Sequence, residues 1–326
     1  MAAPIALGIV GFGIMGERLL RAALASDSVA LRISGVWDPS PAALTRLRGI
    51  AAQVPVLDSP DAVVAASDCL YVASPPAFHL EHARRAFGAG KAAFLEKPLA
   101  VSREEAHAFV AEAERGGARG AVNFPMASSP AVAQLAAWRD LGAVGTPRSL
   151  CITAAFATWP RSWQRDAASW LDHPEQGGFT REVLSHFLFL TRRQCGPMVL
   201  EAARATFAAP GASETAIAAR LTAGGLPVSL SGGVGTALQD DHNAWVLEGS
   251  AGAIRLRDWS FAERHMPDGT WAAAPDALPN EKMRPLVLQR QLEGVVRLSR
   301  GETHHLATLR EALEVQEIVE GILAAR

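Results

Sequence analysis

Residues 5–16 read Ile5-Ala6-Leu7-Gly8-Ile9-Val10-Gly11-Phe12-Gly13-Ile14-Met15-Gly16. A short apolar run of strand length ends here in a Gly-x-Gly-x-x-Gly turn. A helical pattern follows, with Leu19, Leu20 and Leu24 on one side. Each glycine has a reason to be there. Gly11 permits the tight turn, Gly13 lets the backbone approach a pyrophosphate, and Gly16 lets helix and strand pack closely. Phe12, Ile14 and Met15 complete the loop, and the helix N-terminus faces the phosphates. A second strand over 31–37 ends at Asp38. A carboxylate there accepts hydrogen bonds from ribose hydroxyls and repels a 2′-phosphate, so the motif predicts a dinucleotide, NAD favoured over NADP. Asp38 also reads as a turn residue before Pro39.

Working outward, helix patterns at 41–48 and 78–89 alternate with strands at 69–73, 92–95 and 118–123, with 62–66 leading up to Asp68. Ser102-Arg103-Glu104-Glu105 is a capping box for a further helix to about Arg115. Such alternation predicts a doubly wound parallel sheet, an α/β domain over residues 1–122. The pattern changes near Asn123. One helix over 131–141 and a strand over 148–158 lead into a Trp-rich irregular stretch, 159–176, and a helix over 178–193. Strands at 199–207, 214–221, 228–234, 244–248 and 253–256 then predict a large, open, mostly antiparallel sheet. Residues 123–326 thus read as an α+β substrate-binding domain. Residues 272–285 read as loop, and 306–323 as a last helix.

The chain has 326 residues, 49% of them hydrophobic, which is enough for two cores. The net charge is −2 with both signs dispersed, so neither nucleic acid nor an anionic membrane surface is an expected partner. No apolar run is long enough to span a membrane, and the N-terminus has no signal-peptide pattern. Cys69, Cys151 and Cys195 are far apart and form no metal spacing, which fits a reduced, cytoplasmic compartment.

Glu96-Lys97-Pro98 closes the strand at 92–95, at the edge where such sheets place their ligands. The proline fixes a bend that aims Lys97, although a surface lysine before a turn is the commoner meaning of this tripeptide. Ser74-Pro75-Pro76 and His79 follow the strand at 69–73 and reach the same edge. His79 reads equally as a cofactor contact or as a loop tether. Glu182 and His186 stand four apart on one helix and share a face. A carboxylate there can orient an imidazole, and a neutral His can exchange a hydroxyl proton. Pairs at this spacing are more often structural, but Gln176-Gly177-Gly178 just before them allows close approach of a ligand or the other domain. Asp240-Asp241-His242 reads as a polar turn, and no metal site is expected. His304-His305 read as cap or packing residues. Trp159, Trp163 and Trp170 read as core or interface.

Taken in order, Gly8 to Gly16, Asp68 to His79, and Gly88-Ala89-Gly90-Lys91-Ala92-Ala93-Phe94-Leu95-Glu96-Lys97-Pro98-Leu99 resemble the glucose–fructose oxidoreductase/inositol dehydrogenase (Gfo/Idh/MocA) family. Gly177-Gly178 through His186, and Leu247 to Ile254, match less tightly. The resemblance implies an N-terminal Rossmann domain and a C-terminal sheet that forms a homodimer or homotetramer interface. It implies that Lys97 hydrogen-bonds the reacting oxygen, that Lys97–Pro98 is cis, and that His186 is the acid/base. Glu182 stands where the family usually has Asp, Leu184 where it has Gly, and Pro125 where it often has Arg. These departures point to a subgroup whose substrate need not be a typical sugar or inositol.

The resulting expectation is an NAD(P)-dependent oxidoreductase acting on a CH–OH/C=O centre of a small polar molecule. By resemblance alone, that molecule is a sugar, polyol or derivative. Cofactor contacts are expected from Gly11 to Gly16, Asp38, Ser74, Pro75, His79, Glu96, Lys97 and Asn123, with nicotinamide in an interdomain cleft. Catalysis is expected from Lys97, His186 and Glu182, with Arg165 as an anchor for a polar or anionic substrate. Two alternatives stand: a C=N-directed reductase or dehydrogenase on the same scaffold, and a non-catalytic dinucleotide sensor.

Overall fold

The computed structural model describes residues 3–26, 29–167, 171–239 and 242–325, with the backbone alone for 165–167. The chain divides into two compact units, Met1–Ser128 with Pro285–Leu313, and Ser129–Arg284 with Glu314–Arg326. A boundary at 122/123 does not anticipate that the chain returns to its first unit near the C-terminus.

The first unit is built from β1 (Ile5–Val10), α1 (Ile14–Leu24), β2 (Leu31–Trp37), α2 (Pro41–Ile50), α3 (Pro60–Ala65), β3 (Cys69–Val72), α4 (His79–Gly88), β4 (Ala92–Leu95), α5 (Arg103–Arg115) and β5 (Gly120–Val122). Strands β1, β3 and β4 are buried along their whole length, as expected of parallel strands covered on both faces. The Ser-Pro pairs at 40–41 and 59–60 start α2 and α3. Each serine hydroxyl caps a backbone N–H, and each proline takes a first-turn position where no donor is needed. Ser102 Oγ accepts from Glu105 N–H at 3.2 Å, the expected cap of α5. In the sheet, β1 pairs in parallel with β2 on one side and β3 on the other, and the order runs β5-β4-β3-β1-β2. The Gly11–Gly16 turn therefore lies where strand order reverses, the position at which open α/β sheets bind ligands.

In the second unit, β6 (Pro147–Phe156), β7 (Met198–Phe207), β8 (Glu214–Ala223), β9 (Leu226–Val234), β10 (His242–Gly249), β11 (Ala253–Arg257), β12 (Phe261–His265) and β13 (Trp271–Ala273) form one sheet. Its order is β13-β12-β11-β10-β6-β9-β8-β7. Only the β6–β9 pair is parallel. After α6 (Pro130–Asp140), the helical layer is a π-helical turn, Thr180–Leu184, that runs into α7 (Ser185–Cys195). Side chains alternate across the sheet. Ile152, Leu221, Leu230 and Leu247 are buried on one face, whereas Cys151 and Ser231 are exposed on the other. Gly232 lets α7's leading segment sit close, because a Cβ there would lie 2.6 Å from Phe179. The buried Trp245 indole N–H donates to Thr191 Oγ1 at 3.0 Å.

Two readings need correction. Residues 272–285 are loop only over 274–279: they begin in the end of β13 and run into the start of α8 (Asn280–Arg300). Pro285 sits inside that helix and punctuates its pattern, because it offers no N–H to the preceding turn. Leu292, Val295 and Val296 of α8 complete the core of the first unit with Leu7, Ile9 and Phe94. The last helix, α9 (Leu309–Ala324), begins only after β14 (Ala307–Thr308), a two-residue antiparallel edge on β5.

Arg181 pins the π turn. Its guanidinium meets the Glu320 carboxylate through two 2.7 Å bonds. It also donates to the carbonyls of Pro174 and Gly177 at 2.6 and 3.0 Å. Both side chains are largely buried. Arg181→Ala is expected to lower unfolding free energy by about 3–5 kcal/mol in urea titration, because it strands a carboxylate and two carbonyls. A loss below about 1 kcal/mol would mean that the cluster is solvated like a surface pair.

Candidate functional site

The glycine turn separates what the protein requires from what it leaves open. Gly11 has φ +94°, and a Cβ on it would lie 2.5 Å from the Ala73–Ser74 backbone. A Cβ on Gly16 would lie 2.2 Å from Gly11 O. Both are dictated by packing. Gly13 is not: its φ is −78°, and a Cβ there would meet nothing within 4 Å. It is the N-cap of α1, and no side chain caps that helix. An uncapped helix N-terminus behind an open glycine suits an anionic group arriving from outside the chain, and so fits a pyrophosphate.

Asp38 belongs to this cradle. Its Oδ2 accepts from Phe12 N–H at 2.6 Å and its Oδ1 from Ser40 N–H at 2.8 Å. It is thus both a turn residue and the acid beside the loop, and each oxygen keeps a further lone pair for a ribose hydroxyl. Phe12 contributes only backbone here, since its ring is wholly buried in the core. Ile14 is exposed and Met15 half-buried.

At the ends of β3, β4 and β5 lies a buried polar knot. Glu96 is 7% exposed. Its Oε1 accepts from Tyr71 O–H and, at 2.6 Å, from Asn123 Nδ2; Gln291 Nε2 of α8 donates to Asn123 Oδ1. Burial, reinforced by the Glu96 charge, holds the Tyr71 phenol well above its ordinary pKa, so it stays a donor. Asn123 and Glu96, expected to touch cofactor, have their polar groups engaged inside the protein and fix the strand ends from which Lys97 emerges. Lys97 is half-buried, and the Lys97–Pro98 peptide is cis, as the resemblance implies.

His79 is a tether. Its Nδ1 lies 2.8 Å from Pro98 O and its Nε2 2.9 Å from Ser74 O, so one ring joins the loops after β3 and β4. Two carbonyl acceptors favour a second proton. Burial outweighs them, helped by the charges of His82 and Lys97, and lowers the pKa from 6.5 to about 4.

In the second unit, Glu182 lies within the π turn and His186 in the first turn of α7. An α-helical pair was expected, and the wider π turn changes their angular offset. The turn is held at its start by Glu214, a 1%-exposed carboxylate that accepts from Thr180 N–H at 2.6 Å. Burial raises the Glu214 pKa. Gly178 (φ +94°) is required by this carboxylate, because a Cβ would lie 2.2 Å from Glu214 Oε2. The close approach that the glycines permit therefore comes from within the unit. His186 is 8% exposed, with its ring 5.5 Å from that of Trp259, edge to face. Trp259 also packs on Phe187 at 5.2 Å. It gets there by an unusual turn. Asp258 and Trp259 have φ +46° and +72°, the conformation of a type I′ hairpin turn, with Ser260 N–H donating to Arg257 O. Asp258 is fixed by Asn243 N–H, Arg257 and His242.

Sequence reasoning missed Tyr71, Gln291, Glu214 and Trp259. An acid at an inward-facing strand position was a signal for Glu214; the other three had none. The side chains of Arg165 and Trp170 lie outside the described residues, as do Asp240 and Asp241. Trp159 is half-buried, packed on Phe156 and Phe179, whereas Trp163 is 48% exposed. His305 shares a 2.9 Å hydrogen bond with Ser128. Among the described residues no group of His, Cys, Asp and Glu could hold a metal, and no helix is long and apolar enough to cross a membrane.

Residues 5–124 match the model of the oxidoreductase family with an NAD-binding Rossmann fold (GFO_IDH_MocA). The chain is 31% identical over 164 residues to dTDP-3,4-didehydro-2,6-dideoxy-alpha-D-glucose 3-reductase of Actinomadura kijaniata, covering 49% of this chain and 48% of that protein. It is 31% identical over 149 residues to inositol 2-dehydrogenase 3 of Saccharopolyspora erythraea, covering 44% and 43%. The chain spans less than half the length of these curated relatives. The whole fold is shared with an oxidoreductase from Agrobacterium radiobacter solved with NAD+, L-tartaric acid and magnesium. That match has a TM-score of 0.83 at 18% identity and covers 99% of this chain and 97% of that one.

Two stability outcomes follow. His79 is buried neutral, with a folded pKa of about 4 against 6.5 for the free group. Below pH 6.5 the unfolded chain takes a proton that the folded chain refuses. Stability therefore falls as pH drops from 6.5 to 4, by about 3 kcal/mol from this residue. His82, also lowered by burial, adds in the same sense. Denaturation at stepped pH should show a shallower slope for His79→Gln; an unchanged slope would refute the neutral buried ring. At position 259 the usual order reverses: Trp259→Gly should be more stable than Trp259→Ala by about 1 kcal/mol, since only glycine is at ease at this φ. Urea midpoints of the two variants decide it.

Proposed function

We propose that this chain, which belongs to the Gfo/Idh/MocA oxidoreductase family through residues 5–124, is an NAD-dependent dehydrogenase or reductase. It acts on a secondary alcohol or ketone carbon of a small polar substrate, a sugar, polyol or derivative. The observation that carries the reading is Gly13: no contact in the protein forbids a side chain there, and it opens an uncapped helix at the switch point of the sheet. NAD is favoured because the Asp38 carboxylate stands beside the loop. The relatives' names support the substrate class, since one acts on a deoxysugar nucleotide and one on inositol.

Bound NAD supplies the carbon that accepts or returns the hydride. The backbone of Gly11 to Gly16 holds its pyrophosphate and Asp38 its ribose. In oxidation, Lys97 donates a hydrogen bond to the substrate oxygen, stabilising the negative charge that develops there as the hydroxyl proton leaves. Neutral His186 takes the hydroxyl proton, and Glu182 orients it. Reduction runs the same transfers backward. Assembly as a dimer or tetramer would use the exposed face of the second sheet, around Cys151 and Ser231.

Purified protein would be assayed for reduced-nicotinamide formation with NAD+ and pooled sugars, cyclitols, hydroxy acids and amines. Turnover on a polyhydroxy ring compound is expected, with Lys97→Ala slower by about a hundredfold or more at unchanged NAD+ affinity. Turnover of amines alone would replace the alcohol reading. Tight NAD+ binding without turnover, with a biological output indifferent to Lys97→Ala, would replace it with a dinucleotide sensor.

A further inference from the structure

We infer that Glu17 is a specificity determinant for the nucleotide, and that it acts by neutralising an arginine that would otherwise accept a 2′-phosphate. The inference rests on the dinucleotide reading above and deepens it. Two groups of opposite charge grip the same loop residue: Asp38 accepts from Phe12 N–H at 2.6 Å, and Arg46 of α2 donates to Phe12 O. The Arg46 guanidinium also lies over the Phe12 ring, 5.6 Å from its centroid. The cradle thus holds both elements that sort these cofactors, a carboxylate suited to ribose hydroxyls and an arginine suited to a phosphate. Asp38 favours the ribose but does not act alone, because an arginine suited to a phosphate stands at the same loop residue.

Glu17 decides the balance. It sits in the first turn of α1, and its Oε2 accepts from Arg46 Nε at 2.9 Å while its Oε1 accepts from Arg21 Nε at 2.9 Å. The pair does two things to Arg46. It cancels the positive charge that an incoming dianionic phosphate would need, and it occupies one edge of the guanidinium, the edge that planar bidentate recognition of an anion uses. Asp38 and Glu17 are set against Arg46 and an exposed Arg21, so these four groups together offer no net positive charge to a 2′-phosphate, while Arg18 of the same helix turns to Met15 Sδ. NAD carries no 2′-phosphate, so the pairing of Glu17 with Arg46 withholds nothing that its ribose needs.

The test is equilibrium binding of NAD+ and NADP+, by calorimetry at fixed ionic strength, to the full chain and to E17Q, R46A and the E17Q/R46A double variant. Glu17 is partly exposed, so these proteins should fold; circular dichroism checks it. E17Q is expected to tighten NADP+ by about tenfold, one uncompensated charge at short range, while changing NAD+ by less than about twofold. In the double variant the gain should vanish, which separates Arg46 from the freed Arg21. An unchanged NADP+ affinity in E17Q overturns the inference. So does a gain shared equally by NAD+, or one that survives loss of Arg46. Wild-type protein that binds neither nucleotide would sink the dinucleotide reading itself, whereas tight NAD+ binding with no effect of E17Q would sink only the role of Glu17.

Discussion

A carboxylate taken out of water is the constraint around which the first unit is organised. Ionised groups of this kind cost several kcal/mol to bury unless donors are in place. Glu96 receives them from Tyr71 at the end of β3 and Asn123 after β5, and Asn123 is held in turn by Gln291. Three strand ends and one helix must therefore register against each other before the charge is satisfied. Lys97 and Pro98 follow directly in the chain, so the lysine's starting point is set by hydrogen bonds it does not itself make. His79 then ties the carbonyl of Pro98 to that of Ser74. The result is a rigid edge, the kind of support that reactive side chains need to act with defined geometry.

Much of this was legible in the residues because it is local. β1, β2 and β4 end where the apolar runs end, and α2 starts at Pro41 as its pattern implies; α3, opened by Ser59-Pro60, was not read as a helix. The glycine turn announces itself, since backbone conformations and close approaches exclude side chains at Gly11 and Gly16. Lys97, Glu182 and His186 were singled out by position and resemblance.

What escaped the reading is whatever depends on chain segments far apart. Gln291 reaches Asn123 across 168 residues, and Glu214 reaches Thr180 across 34. No periodicity encodes such meetings. Helix α8 was hidden by Pro285, a breaker that the helix tolerates near its start. The π turn was hidden because residues 183–191 are buried all round, which leaves no one-sided pattern for an extra residue to break. The Asp258-Trp259 turn violates turn chemistry that normally favours Asn and Gly. Its rule-breaking residue lands on His186, which is where local exceptions tend to gather.

The returning segment, 285–313, has a consequence for the architecture's history. It gives the first unit Leu292, Val295 and Val296 of its core, the amide of Gln291 behind Glu96, and the edge strand β14. A nucleotide module whose last strand, helix and buried amide are encoded behind the second unit is not a detachable cassette. A gene fragment ending at Ser128 would leave Asn123 without Gln291 and bare an apolar face on the sheet. Recombination that exchanges the second unit must then act as an insertion into the middle of the nucleotide module plus a change of the C-terminal segment, with three junctions that have to match.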